Sequence, residues 1–66
     1  MIEPLVSILI PAHNAEKTIS TALHSCLNQT YENIEILVLN NASKDQTQKI
    51  LDGFSDARIQ VFYSDQ

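Results

Sequence analysis

Two short stretches hold most of the side chains able to do chemistry. One reads Pro11-Ala12-His13-Asn14-Ala15-Glu16 and the other Asn40-Asn41-Ala42-Ser43-Lys44-Asp45, while Ser64-Asp65-Gln66 forms a third polar segment. Short amides and hydroxyls dominate, joined by one imidazole, one ammonium and three carboxylates. These groups offer directional donors and acceptors, which suits recognition of a base edge or a ribose. Metal chemistry is poorly served: His13, His24 and the lone thiol Cys26 form no metal-ligand cluster, and no two carboxylates have D-x-D spacing. One cysteine also excludes an internal disulfide. Dinucleotide and P-loop phosphate binding are disfavoured, because the first turn has no glycine to let a pyrophosphate approach.

The elements that must position these stretches follow from the apolar period. Leu5 to Ile10 is a short run rich in β-branched residues between Pro4 and Pro11, which reads as a buried strand ended by Pro11. Ile19, Ala22, Leu23, Cys26 and Leu27 repeat at i, i+3, i+4, i+7, i+8, which predicts a helix with Asn14 as N-cap, Glu16 in its first turn and an end near Asn28. Cys26 falls on the apolar stripe and reads as a small core side chain, whereas His24 falls on the polar face. Ile34 to Leu39 is a second strand, and Asn40 to Ser43 a polar turn. Ser43 with Gln46 reads as a capping box ahead of a second stripe, Thr47, Ile50, Leu51 and Phe54, which loosens at Gly53. Ile59, Val61 and Tyr63 alternate with Gln60 and Phe62 as a third strand.

The order strand, helix, strand, helix, strand requires parallel strands with crossover helices. Two crossovers in one direction give sheet order 3-2-1 with both helices on one face. Ligands of open α/β sheets bind outside the carboxyl ends of the strands, and there the three polar segments converge. The first two open into helices, whose N-terminal N–H groups suit anions. The second sheet face stays uncovered, although parallel sheets are normally covered on both. The chain therefore reads as half of a larger doubly wound domain, and its bare face predicts association into a homo-oligomer.

Charge and length bound the partners. Eight Asp and Glu against four Lys and Arg give a net charge of −4, which leaves no basic stripe for nucleic acid. No apolar run approaches the ~20 residues that span a bilayer, and a cytoplasmic setting is expected. Sixty-six residues with 44% hydrophobic content fit one small, marginally stable core.

Three blocks carry a resemblance. Val-Ser-Ile-Leu-Ile-Pro-Ala-His-Asn-Ala-Glu at 6–16 is similar to the opening of the family 2 glycosyltransferases, which have the GT-A, Rossmann-like fold. Ser25-Cys26-Leu27-Asn28-Gln29-Thr30-Tyr31 resembles that family's next block, and Ile34 to Asp45 resembles its second strand and the loop behind it. The three blocks stand in order and at the right spacing over nearly the whole chain. The resemblance implies the N-terminal half of a GT-A domain, binding the nucleoside of a UDP-sugar or similar donor. Pro11, Ala12, His13 and Asn14 match the first binding loop, with His13 at a position more often tyrosine, and Glu16 matches an acidic position near the nucleoside. Asn40 and Asn41 match a pair that is usually two aspartates, one of which accepts the uracil imide hydrogen, and Asp45 matches an acidic residue opening the second helix.

The amide pair is a departure. An amide oxygen still accepts from uracil, but more weakly than a carboxylate; a different base or a degenerate relative that has lost donor binding are the other readings. The resemblance also implies a divalent metal, manganese or magnesium, on a D-x-D motif beyond Gln66, and a catalytic base later still. No catalytic residue and no cofactor is therefore expected within 1–66, and the chain alone is expected to be inactive. The rival reading is a non-catalytic α/β module that binds or oligomerises through its bare face.

Overall fold

The β-branched run Val-Ser-Ile-Leu-Ile-Pro-Ala forms strand β1 (Val6–Ala12) in the computed structural model, which describes residues 4–65. The chain continues through α1 (Ile19–Asn28), β2 (Ile34–Asn41), α2 (Thr47–Asp52) and β3 (Ile59–Ser64). Strand β2 lies between β1 and β3, and both pairings are parallel. Counted from the other edge this is the 3-2-1 order expected for β-α-β-α-β. Gln66 lies outside the described residues.

Register sorts the side chains by face. Ile8, Ile36 and Ile59 stand in one row, Ile10, Val38 and Val61 in the next, and Ala12, Asn40 and Tyr63 in the last. Ile36 and Val38 are fully buried, and they form one cluster with Ala12 and Ile34 and with Ile19, Leu23 and Leu51 from the helices. Both helices therefore cover this face, and the ring of His24 meets that of Phe54 at 5.3 Å where they approach. Burying each such aliphatic side chain stabilises the fold by about 1.5–3 kcal/mol. Cys26 packs against the cluster as a partly buried thiol.

The alternate residues Leu9, Leu37, Leu39 and Phe62 stand on the opposite face, where Leu9 is 66% and Phe62 51% exposed. Outside the sheet, the Tyr31 hydroxyl donates to the Pro4 carbonyl and anchors the entry to β1.

Three local expectations are corrected. Strand β1 does not end at Pro11 but runs through it to Ala12, opposite Leu39 and Asn40. β1 has a neighbour on one side only, and proline's missing N–H is tolerated on an edge strand. Helix α1 starts at Ile19 with Thr18 as N-cap and no acidic residue in its first turn. A turn closed by Thr18 N–H to the Ala15 carbonyl, 3.0 Å, intervenes, with Asn14 ahead of it and Glu16 inside it. Asn14 instead takes a left-handed backbone, φ 49°, which asparagine tolerates better than most residues. The Ser43–Gln46 box does not form, because α2 starts at Thr47 behind Gln46 and the Ser43 hydroxyl is engaged elsewhere.

Candidate functional site

Parallel neighbours deliver their C-terminal ends to the same side, so the loops behind β1 and β2 meet. Their contact is a lattice of cross-loop hydrogen bonds. Asn14 N–H donates to Ser43 Oγ (2.9 Å), Ala15 N–H to Thr47 Oγ1 (2.8 Å) and Glu16 N–H to Asp45 Oδ2 (3.2 Å). In return Lys44 N–H donates to Asn14 Oδ1 at 2.8 Å. The end of β3 joins the same rim, because Ala42 N–H donates to the Ser64 carbonyl at 2.5 Å.

This lattice corrects one expectation. Consecutive N–H groups ahead of α1 suit an anion, but those of Asn14, Ala15 and Glu16 are spent on side chains of the second loop. That turn therefore has no free run of N–H groups from Asn14 to Glu16 on which to seat a bare phosphate.

His13 closes the rim at its outer edge. Its Nδ1 lies 2.6 Å from the Asn41 carbonyl oxygen. A carbonyl only accepts, so Nδ1 is the donor in this contact. The Asn14 carboxamide nitrogen lies 3.4 Å from the ring's Nε2. Asn41 is exposed, and its backbone carbonyl, not its carboxamide, carries the bond to His13. The carboxamide is thus rooted on a peptide held from both sides.

Asp45 organises the second loop from below. Its Oδ1 accepts from the Thr47 amide (2.9 Å) and hydroxyl (2.5 Å), while Oδ2 accepts from Glu16. Desolvation pushes its carboxyl up, but the bonds from the Thr47 hydroxyl, the Thr47 amide and the Glu16 amide together outweigh it, and the group titrates below its ordinary value. An ionised Asp45 is therefore the state the loop is built around.

The residues singled out from sequence fall on two levels. Pro11, His13, Asn14, Glu16 and Asn41 are exposed on the rim, and Asp45 is half-buried within it. Ala12 and Asn40 lie beneath, at 3% and 0% exposure, side by side in the register. Strand alternation explains the split between Asn40 and Asn41, since consecutive side chains point to opposite faces. Two contributors escaped the sequence reading. Thr47 heads an apolar stripe in the sequence, yet its fully buried hydroxyl joins both loops. Gln48 receives a hydrogen bond from Asn40 Nδ2 at 2.7 Å. The available signal was a hydroxyl residue heading an otherwise apolar stripe.

Among the described residues, no three His, Cys, Asp or Glu side chains converge as a metal site requires, and no helix is long and apolar enough to cross a membrane.

Comparison with known proteins shows the family. The family model for glycosyl transferase family 2 matches residues 7–66. An uncharacterized glycosyltransferase of Rickettsia typhi is 47% identical over 62 residues, covering 94% of this chain and 19% of its own length. Two Escherichia coli proteins, WfgD and WfaP, each named UDP-Glc:alpha-D-GlcNAc-diphosphoundecaprenol beta-1,3-glucosyltransferase, are 52% and 46% identical over 58 and 55 residues. Those matches cover 86% and 83% of this chain, which spans 22% of the length of either relative.

Proposed function

This chain belongs to glycosyl transferase family 2, and from that premise we propose that it is the nucleotide-binding N-terminal part of an enzyme moving a sugar from a nucleotide-sugar donor to an acceptor hydroxyl. The observation that carries the reading is the laced rim, where two parallel strands end together and present exposed amide and imidazole heads on a fixed backbone. Asn41 offers one acceptor and one donor to the edge of a base. His13, held by the Asn41 carbonyl, presents its ring beside it. Pro11 and Ala12 carry β1 up to the rim, Asn14 and Glu16 line its near side, and Asp45 fixes the second loop. Asn40 supports the rim from beneath. A UDP-sugar is the donor class favoured here, in keeping with the names of WfgD and WfaP.

The part of the reaction served by these residues is holding and orienting the nucleoside. A divalent cation, manganese or magnesium, belongs to the proposed whole enzyme, where it would neutralise the leaving diphosphate. The described residues do not fit it, since no three ligands of suitable type converge, and no step through it is assigned to them. A cytoplasmic setting belongs to the same proposal.

Titration calorimetry of UDP and UDP-glucose into the intact protein tests the reading. Binding is expected, and Asn41→Ala should weaken it roughly two- to tenfold, the value of one ordinary hydrogen bond. No heat with either ligand and no effect of Asn41→Ala would overturn it.

One observation favours a second reading. Leu9, Leu39 and Phe62 are 66%, 41% and 51% exposed on the uncovered sheet face, an arrangement suited to a non-catalytic module that pairs with a second copy. UDP binding by a monomer supports the first reading, and a dimer without UDP binding supports the second.

A further inference from the structure

Asn40 is wholly buried at the end of β2, beside Ala12 and Tyr63 in the sheet register. Its Nδ2 donates to Gln48 Oε1 at 2.7 Å, and Gln48 Nε2 donates in turn to Asp52 Oδ1 at 2.8 Å. Asn40 Oδ1 is buried without a hydrogen-bond partner. The polarity of this relay is fixed at its outer end. An ionised carboxylate only accepts, so Gln48 must turn its NH2 toward Asp52. The Gln48 oxygen then faces Asn40, and only an NH2 can meet it there. Asn40 is left with its oxygen on the far side, which accounts for the one buried polar side-chain atom among the described residues that lacks a partner.

We infer that Asp52, at the exposed end of α2, dictates through Gln48 a single orientation of Asn40, and that this relay makes Asn40 a positioning residue for the exposed Asn41. The relay ties the tip of β2 down to α2. Above it, His13 and the Ala42–Ser64 bond hold the Asn41 peptide from its two flanks. Without the Asn40–Gln48 bond the tip loses its direct side-chain tie to α2 and keeps only the Asp45–Thr47 bonds of the loop behind it, so the Asn41 carboxamide loses part of its fixed root. The same logic says which residue position 40 accepts. An aspartate there would set a carboxylate against the Gln48 oxygen, and Gln48 could turn only by facing a second carboxylate with its oxygen. A carboxylate at 40 is compatible with this chain only when the one at 52 is removed.

The inference rests on the nucleoside reading only for the role of Asn41, and a double-variant cycle in the intact protein separates the two. Asn40→Asp should raise the unfolding constant by about tenfold or more, the scale of one charged hydrogen bond gone wrong. Asp52→Asn should change it little, because the new amide oxygen still accepts from Gln48. In the double variant the relay runs backward: the new amide at 52 donates to Gln48 Oε1, and Gln48 Nε2 donates to the new carboxylate at 40. About tenfold of the lost stability should return. Calorimetric UDP affinity, read where all variants are folded, should fall about tenfold in Asn40→Asp and recover most of that loss in the double variant. Additive stability effects, or an Asn40→Asp variant as stable as the parent, would overturn the relay. A non-additive cycle with UDP affinity unmoved by Asn40→Asp would overturn the positioning role. Failure of the parent protein to bind UDP would overturn the nucleoside reading, leaving the stability cycle to decide the relay.

Discussion

The rim depends on a few side chains that use several lone pairs at once. Asp45 accepts at both oxygens, and Thr47 accepts from Ala15 while donating to Asp45. A buried threonine in that position is fixed by two bonds in opposite senses, which valine could not supply. The Asp45 bonds also set a pH dependence. Its folded pKa lies below the ordinary 3.8, so the unfolded chain binds that proton more readily. The stability this group contributes is complete above 3.8 and is lost as pH falls through the lower, folded value. Asp45→Asn should therefore lower stability at neutral pH, since the amide keeps one acceptor oxygen only, and should flatten the decline below pH 3.8. Urea unfolding between pH 2 and 7 checks this, and an unchanged acid slope would refute it. Asp56 titrates low for a related reason, its hydrogen bonds from the Arg58 side chain and backbone, so the parent's acid slope contains both groups and the difference between the two proteins isolates Asp45. Most of this was legible as residue types, because amides, a hydroxyl and a carboxylate gathered in two loops. Their partners were not. Asn14 and Ser43 read as caps of their own helices, and each instead serves the opposite loop. Pairings across 29 or 30 positions are invisible to rules that count three or four residues ahead.

At the scale of elements, the core is one layer of aliphatic side chains between β2 and the two helices. Leu23 is fully buried there, together with Ile19 from the same helix. Removing a buried leucine costs about 2–5 kcal/mol once the cavity is included. A chain that buries only about 60% of its unfolded surface has little reserve. Leu23→Ala should consequently leave the isolated segment largely unfolded at 25 °C, read as loss of far-ultraviolet helix and strand signal. Cys26→Ala, at a half-buried position on the same stripe, should be the milder change. A folded Leu23→Ala segment would mean that α1 contributes less than its burial indicates. The same apolar stripes explain why the elements were readable from sequence. A 3.6-residue period and a β-branched run each report local geometry directly, and the parallel order follows from the alternation of strand and helix. The ends were harder. Pro11 stays inside β1 because no strand lies on its open side, and edge position is a property of the sheet, not of the proline. Ala42 takes φ 53°, a conformation costing about 1–2 kcal/mol for an L-residue, and no local signal marks it. The close bond from its N–H to the Ser64 carbonyl, supplied by β3, is what the turn gains there.

At the scale of the molecule, one sheet carries two unlike surfaces. The helix side is closed, whereas Leu9, Leu37, Leu39 and Phe62 form an apolar strip across three strands on the other. Most parallel sheets bury both faces, and this segment spans 19% to 22% of the relatives compared above. For the 66-residue segment alone, two forces oppose each other over that strip. Burying apolar area favours association at about 25 cal/mol per Å², while a net charge of −4 on each copy resists it through a field that reaches about 10 Å at 0.1 M salt. Raising the salt shortens the repulsion to about 3 Å at 1 M and leaves the apolar term in place. Sedimentation equilibrium should therefore show association that strengthens from 0.05 to 0.5 M sodium chloride. Leu9→Lys should abolish it, because Leu9 is two-thirds exposed and its replacement adds charge to the strip without opening the core. Thermal unfolding of that variant should match the parent's when both are monomeric. Association that weakens with salt would point instead to paired charges at the contact, and an associating Leu9→Lys variant would move the contact off this face altogether.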